Sequence, residues 1–545
     1  MSAAPEMPDA RASARGLKGG ALGFVSSVGI GVASTAPAYS LAATLGFAVA
    51  VVGPQTLLLV PLAFIPMFFS AWANKEMNRA DPDCGSSFTW AARAIGPRFG
   101  WFFGGWGTIA SDLLAMASQS QIAGQYFFLL FGITSVGDNA TSIWVLLVGV
   151  AWIVVLTYLC YRGIELSARI QITLLAVEIL MLLLMSVVAL VRVGTGSAPA
   201  GHAPFSWDWL NPAHFASPST FMAGLLLMVF VYWGWDTTVS VNEETADSDR
   251  IPGTAGVVST LLLLGTYFVV ILSVQMFAGF GSSGIGLDNS ANQNDVLSPM
   301  GQAVFGHSTF GTILARLLLL MVLTSSAATT QTTILPNART TLSMAFHKAL
   351  PAIFGKIHPK YLTPSFSTIS FAVISVIMYV ILNFVSGGNV LADSVTAATF
   401  FVAMYLGSTG FACFWFYRKS LLTSASNFWL RGVIPLLSGI MLLVILAWSI
   451  YFYTDPNQSY STWHMSFWPH WTVGGVLSIG IITSLVGLAW MLATQPFKKD
   501  FFSGRSMKEG YSITDDDRVV PIAATAAAGT PETAASAGAE ADTAG

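Results

Sequence analysis

Of the 545 residues only 9% are Asp, Glu, Lys or Arg, 54% are hydrophobic, and the mean hydropathy is +0.66. A soluble chain of this length would form three or four domains whose residues are about 25% charged, so a soluble multidomain enzyme is excluded and the chain reads as an integral membrane protein with the lipid bilayer as its partner. The same numbers exclude disorder over most of the length, and a net charge of −3 offers no basic surface to nucleic acid.

Residues 1–18 read as a polar cytoplasmic N-terminal tail. A membrane helix needs about 20 mostly apolar residues. Twelve such runs follow, near 20–50, 54–76, 100–132, 142–161, 168–191, 217–243, 254–279, 309–337, 365–385, 394–417, 431–453 and 468–494. The first begins after basic residues and carries Ala36-Pro37-Ala38, in the manner of a secretory signal, but the apolar run continues to Val52 and is predicted to stay. Between the second and third runs, Ser87–Arg93 reads as a short interfacial helix. The transporter domain thus covers 19–496, and 497–545 is a second cytoplasmic tail, predicted to be disordered after about 518.

The cationic residues test this count. With twelve spans, 22 of the 24 Lys and Arg fall on one side, and only Arg192 and Arg316 fall on the other. Cytoplasmic loops carry the excess of Lys and Arg, which places both termini in the cytoplasm. The three cysteines, Cys84, Cys160 and Cys413, have neither CxxC nor Cys/His spacing, so no metal, haem or other cofactor is predicted.

Two spans are interrupted. Span one reads Gly29-Ile30-Gly31-Val32-Ala33-Ser34-Thr35-Ala36-Pro37, and span six reads Tyr232-Trp233-Gly234-Trp235-Asp236-Thr237. A kink explains either alone, since proline removes a backbone donor and clashes with the preceding turn. Together they stand first in two five-span halves, about 19–192 and 217–417, which start from opposite sides of the membrane; spans 431–494 are additional. Broken helices at matching positions of inverted repeats point to a transport site at mid-membrane. Exposed N–H groups at such a break suit a carboxylate, whereas exposed carbonyls and an acidic side chain suit an ammonium.

Ionisable groups inside a membrane are costly and are candidates for function. Asp112 in span three, Glu178 in span five and Asp236 at the span-six break are the three, each a candidate proton carrier or, alternatively, a hydrogen-bonded structural carboxyl. Span eight carries Thr324-Ser325-Ser326-Ala327-Ala328-Thr329, in which Ser325, Ser326 and Thr329 form a possible sodium site or a close helix-packing surface. Trp233 beside Gly234 is placed to close over a substrate.

The chain resembles permeases of the amino acid–polyamine–organocation superfamily over about residues 18–495. The resemblance rests on Gly29-x-Gly31 to Pro37, on Gly234-Trp235-Asp236 to Asn242-Glu243-Glu244-Thr245, on Cys84-Gly85-Ser86-Ser87-Phe88-Thr89-Trp90 to Gly104-Gly105-Trp106, and on Asn337-Ala338-Arg339 to Thr363-Pro364. It implies an all-α fold of twelve helices in the five-plus-five inverted repeat of the leucine-transporter type, with helices 1 and 6 broken. It implies uptake or exchange of an amino acid or related amine. It also implies substrate contacts at Gly31, Ser34 and Thr35 for the carboxylate end, and at Tyr232, Trp233, Gly234 and Asp236 for the other. The sequence departs from the family in two places: Gly31 lies six positions before Pro37, further than usual, and span five has no lysine, Glu178 having the opposite sign. The expected function is proton-coupled secondary active transport through the cytoplasmic membrane by alternating access, with Asp236 binding the substrate amine or carrying the coupling proton. Transport or exchange of a polyamine or other cationic amine, and sodium coupling, are the alternatives. A membrane enzyme would need a cluster of catalytic groups at one face, and an ATP-driven pump a phosphate-binding loop; neither pattern is present in the sequence.

Overall fold

A proline at position 37 and an alanine in an uncommon conformation before it divide the first apolar run in two. In the computed structural model, which describes residues 15–293, 295–385, 390–464, 472–508, 511–514 and 517–521, helix α1 (Phe24–Thr35) ends at Ala36, whose φ of 46° is left-handed. Helix α2 (Pro37–Val52) restarts with proline in its first turn, where a missing N–H costs no hydrogen bond. After a turn at Gly53–Gln55 come α3 (Thr56–Ala80), the short α4 (Ser87–Ala94), α5 (Gly107–Leu130), α6 (Ile143–Arg162) and α7 (Ile164–Gly194). The second half holds α8 (Pro218–Val231), the one-turn α9 (Thr237–Ser240), α10 (Ile251–Ala278), α11 (Leu297–Phe305), α12 (Thr309–Phe346), α13 (Ser365–Val385) and α14 (Val390–Tyr417). The long helices α15 (Ile434–Phe452) and α16 (Gly475–Thr494) follow, and then the single turns α17 (Lys499–Phe502) and α18 (Arg505–Lys508).

Among the described residues nine segments are long and apolar enough to cross a membrane. One of them, Phe24–Ala80, contains both α1–α2 and α3. The runs read as spans three and six are outside the nine, for physical reasons. Helix α5 is diluted by Ser111, Asp112, Gln119 and Gln121, all buried. The span-six helix is cut to the 14 residues of α8 by its break.

The chain is mostly helical, in keeping with the all-α reading. Two small antiparallel ribbons are present, β1 (Thr462–His464) with β2 (Thr472–Gly474), and β3 (Tyr511–Ile513) with β4 (Val519–Pro521). The second ribbon and strand β1 lie outside the apolar runs, whereas β2 takes the first residues of the run read as 468–494, so that the last helix starts only at Gly475. Of the tails read as 1–18 and 497–545, residues 1–14 and 522–545, including most of the stretch expected to be disordered, lie outside the described residues.

Helix α14 is the centre of the assembly. It packs on α5 and α15, and 83% of its apolar stretch is buried, against 33% for the stretches that contain α15 and α16. Peripheral helices instead turn large apolar side chains outward, such as Leu180, Val187 and Val191 on α7 and Ile369, Val373 and Ile377 on α13. In lipid such faces carry no hydrophobic penalty, because the surrounding tails are equally apolar. Arg192, one of the two arginines on the unexpected side, bonds the carbonyls of Ala303 and Val304 at the end of α11, where a cation suits the helix terminus.

Candidate functional site

The two interruptions meet. At the end of α8 the chain passes through Gly234 with φ 125°, and a Cβ at this position would lie 2.7 Å from the Ser34 carbonyl and 2.9 Å from the Thr35 nitrogen. Glycine is therefore required here both by conformation and by contact. Ser34 and Thr237 join the two breaks through a 2.7 Å hydroxyl–hydroxyl hydrogen bond.

Between them lies a cavity of about 20 Å³, room for a single water molecule. Its walls come from both breaks (Ser34, Trp233, Gly234, Asp236, Thr237), from α5 (Thr108, Asp112), from α12 (Thr329, Thr332, Thr333, Pro336) and from Tyr405 of α14. Asp236 accepts a 2.7 Å hydrogen bond from the Tyr405 hydroxyl, which itself accepts one of 2.6 Å from the Trp233 indole. Asp112 accepts from the side-chain amide of Asn337. Two carboxylates thus face one small polar space, and among the described residues no Lys, Arg or His lines it.

Six of the residues singled out from the sequence, Ser34, Trp233, Gly234, Asp236, Asp112 and Thr329, border this cavity. The others do not. Gly31 packs against α10, where an added Cβ would meet the Ser259 hydroxyl at 2.5 Å, and its carbonyl accepts from Thr35 at 3.0 Å. Tyr232 is buried against the rings of Phe64 and Tyr267. Glu178 bonds the Ala38 N–H at 2.7 Å and the Ser325 hydroxyl at 2.8 Å. The three span-eight hydroxyls turn to different partners: Ser325 to Glu178, Ser326 to the Gln119 carbonyl, Thr329 to the Ser34 carbonyl. Sequence reasoning missed Tyr405, Thr108 and the pair Thr332–Thr333. A tyrosine in the middle of an apolar run, away from the interfacial belt, was the available signal for Tyr405.

One end of the molecule beyond this cavity is closed by buried charge. Arg15 is held by Asp83 at 2.6 Å and by Glu243 at 2.8 Å. Arg339 makes a two-pronged pair with Glu244, at 2.9 and 3.0 Å. At the other end the Tyr126 hydroxyl bonds Asp295.

The profile of the amino acid permease family matches residues 22–492. The chain is 25% identical over 329 residues to a branched-chain amino acid permease of Bacillus subtilis, covering 57% of this chain and 64% of that one. It is 26% identical over 316 residues to a low-affinity putrescine importer of Escherichia coli, covering 56% and 62%. The matched region therefore spans less than two thirds of these two relatives. An arginine/ornithine antiporter of Latilactobacillus sakei is 24% identical over 485 residues, covering 85% of this chain and 94% of that one. Among solved structures, the manganese transporter of Eremococcus coleocola superposes with a TM-score of 0.51 at 13% identity, covering 88% of this chain and 95% of that one. The fold is shared with that transporter.

Proposed function

The chain belongs to the amino acid permease family of the amino acid–polyamine–organocation superfamily, and on that premise we propose that it is a secondary transporter, not an enzyme, moving an amino acid or related amine through the cytoplasmic membrane by alternating access. The observation that carries this reading is the cavity where two interrupted helices meet with Asp112 and Asp236 facing it. Irregular backbone at membrane depth is tolerated where protein or a cavity satisfies it, and broken-helix junctions are where transporters of this architecture bind substrate. Relatives named for branched-chain amino acids, putrescine and arginine/ornithine exchange support the substrate class.

In this reading Ser34, Gly234 and Trp233 shape the substrate site, and Asp236 receives either the substrate ammonium or the coupling proton. Both termini face the cytoplasm, supported by the one-sided distribution of Lys and Arg. The twelve-span count, with repeats over about 19–192 and 217–417, is part of the same proposal. The test is purified full-length protein in liposomes with a proton gradient and a sodium gradient imposed separately. Concentrative uptake of an amino acid or amine on the proton gradient alone is expected. Uptake only with sodium would move the coupling role from Asp236 to the Ser325, Ser326 and Thr329 hydroxyls.

A further inference from the structure

We propose that the substrate is an organic ammonium ion without a carboxylate, an amine in place of an amino acid; the inference rests on the transporter reading and narrows it.

The N-terminus of an interrupted helix is where a substrate carboxylate would dock, because its first four N–H groups have no partner within the helix. At α2 those donors are already committed. Ala36 N–H donates to the Ala33 carbonyl at 3.1 Å, and Pro37 has no N–H. Ala38 N–H donates to Glu178 at 2.7 Å, and Tyr39 N–H donates to the Ser325 hydroxyl at 3.2 Å. Ser325 passes its own proton to the same Glu178 oxygen at 2.8 Å. Glu178 comes from α7 and is 1% exposed. The position that would hold a substrate carboxylate is thus filled by one of the protein's own. A second would find no donor there and would meet a carboxylate. At α9 the first-turn donors are committed as well: Thr237, Thr238 and Val239 direct their N–H groups to the carbonyls of Gly234, Trp235 and Asp236.

The cavity walls agree. The hydroxyl of Thr108 donates to the Gly104 carbonyl at 2.9 Å, Thr332 to Ala328 at 3.1 Å, Thr333 to Thr329 at 2.8 Å and Thr329 to Ser34 at 2.9 Å. Tyr405 gives its proton to Asp236. With these protons spent, these five hydroxyls offer lone pairs to a ligand, as do Asp112 and Asp236, while the remaining two, of Ser34 and Thr237, bond each other. A wall of acceptors suits a group that brings only donors, and an ammonium carries three.

The test uses matched pairs that differ by the α-carboxylate: putrescine and ornithine, agmatine and arginine, ethanolamine and serine. Uptake and counterflow of each labelled compound are measured in sodium-free buffer with full-length protein in liposomes. The expected result is transport of the amine of at least one pair, at least about tenfold faster than its amino acid, the effect of leaving one charged group without donors. Glu178→Ala, which frees the Ala38 N–H, is expected to erode that preference, and Glu178→Gln, which keeps an acceptor at the same place, to retain it. Amino acids moving as fast as their amines in every pair would overturn the inference while leaving the transporter reading intact. Silence of all six compounds from folded, reconstituted protein would overturn both.

Discussion

At the residue scale the junction of the two breaks is tightly constrained. Gly234→Ala would place a methyl 2.7 Å from the Ser34 carbonyl and hold alanine at a φ of 125°, a conformation costing about 1–3 kcal/mol before any clash is counted. The substitution is expected to abolish transport while the protein still reaches the membrane, measured as uptake normalised to protein in the lipid fraction. Asp236 is the second such residue. Its oxygen accepts from Tyr405, which asparagine can still satisfy through its carbonyl. Asp236→Asn therefore preserves the local geometry and removes only the ionisable group. Loss of the pH dependence of uptake, with the variant folded, is the expected outcome; an unchanged pH profile would remove Asp236 from proton coupling. Both residues were legible in the sequence because a glycine and a carboxylate in an apolar run stand out. Tyr405 stood out only as a tyrosine in mid-run, since its role depends on α14 lying beside the span-six break, 169 positions away in sequence. The same holds for Glu178: its polarity was visible, but its partner Ala38 lies 140 positions earlier.

At the element scale the helices were legible because apolar length and the side on which Lys and Arg fall are properties of single runs. What docks between elements was not. The segment after α16 reads as a tail, being short of apolar periodicity and rich in charge. It nevertheless packs on the protein. Phe501 is fully buried and stacks on Phe88 of α4 at 5.6 Å. Lys498 donates to the Leu350 carbonyl at 2.9 Å, Arg93 to the Met507 carbonyl at 2.7 Å, and Arg518 pairs with Asp249 at 2.8 Å. Adjacent phenylalanines after the last span were the only hint. Removing a buried phenylalanine side chain costs about 3–5 kcal/mol. Phe501→Ala is accordingly expected to lower the midpoint of thermal unfolding in detergent. Lys499→Ala, on the same turn but without a buried apolar ring, is the control and is expected to leave it in place.

At the scale of the whole molecule, alternating access requires that the end closed by Arg15 separate. Arg15 is 3% exposed at its side chain and joins the N-terminal segment to Asp83, between α3 and α4, and to Glu243, seven residues beyond Asp236. The site and the seal thus share one stretch of chain. Removing one partner of a buried ion pair costs about 3–5 kcal/mol, because the remaining charges are left unpaired. Arg15→Ala should therefore favour the form open at this end, and Cys84 reports it. Its thiol lies 3.1 Å from the Arg15 guanidinium and is buried, and burial followed by the nearby Glu243 charge pushes it well above the usual thiol range, so slow labelling by maleimide is expected of the parent. The two consequences of the substitution have opposite signs. If the seal stays shut, losing the Arg15 charge raises the thiol further and labelling slows. If the seal opens, Cys84 meets water and labelling accelerates. With Cys160 and Cys413 replaced by serine, faster labelling of Arg15→Ala than of the parent is the expected result. Slower labelling would show that Arg15 holds a local ion pair without gating this end.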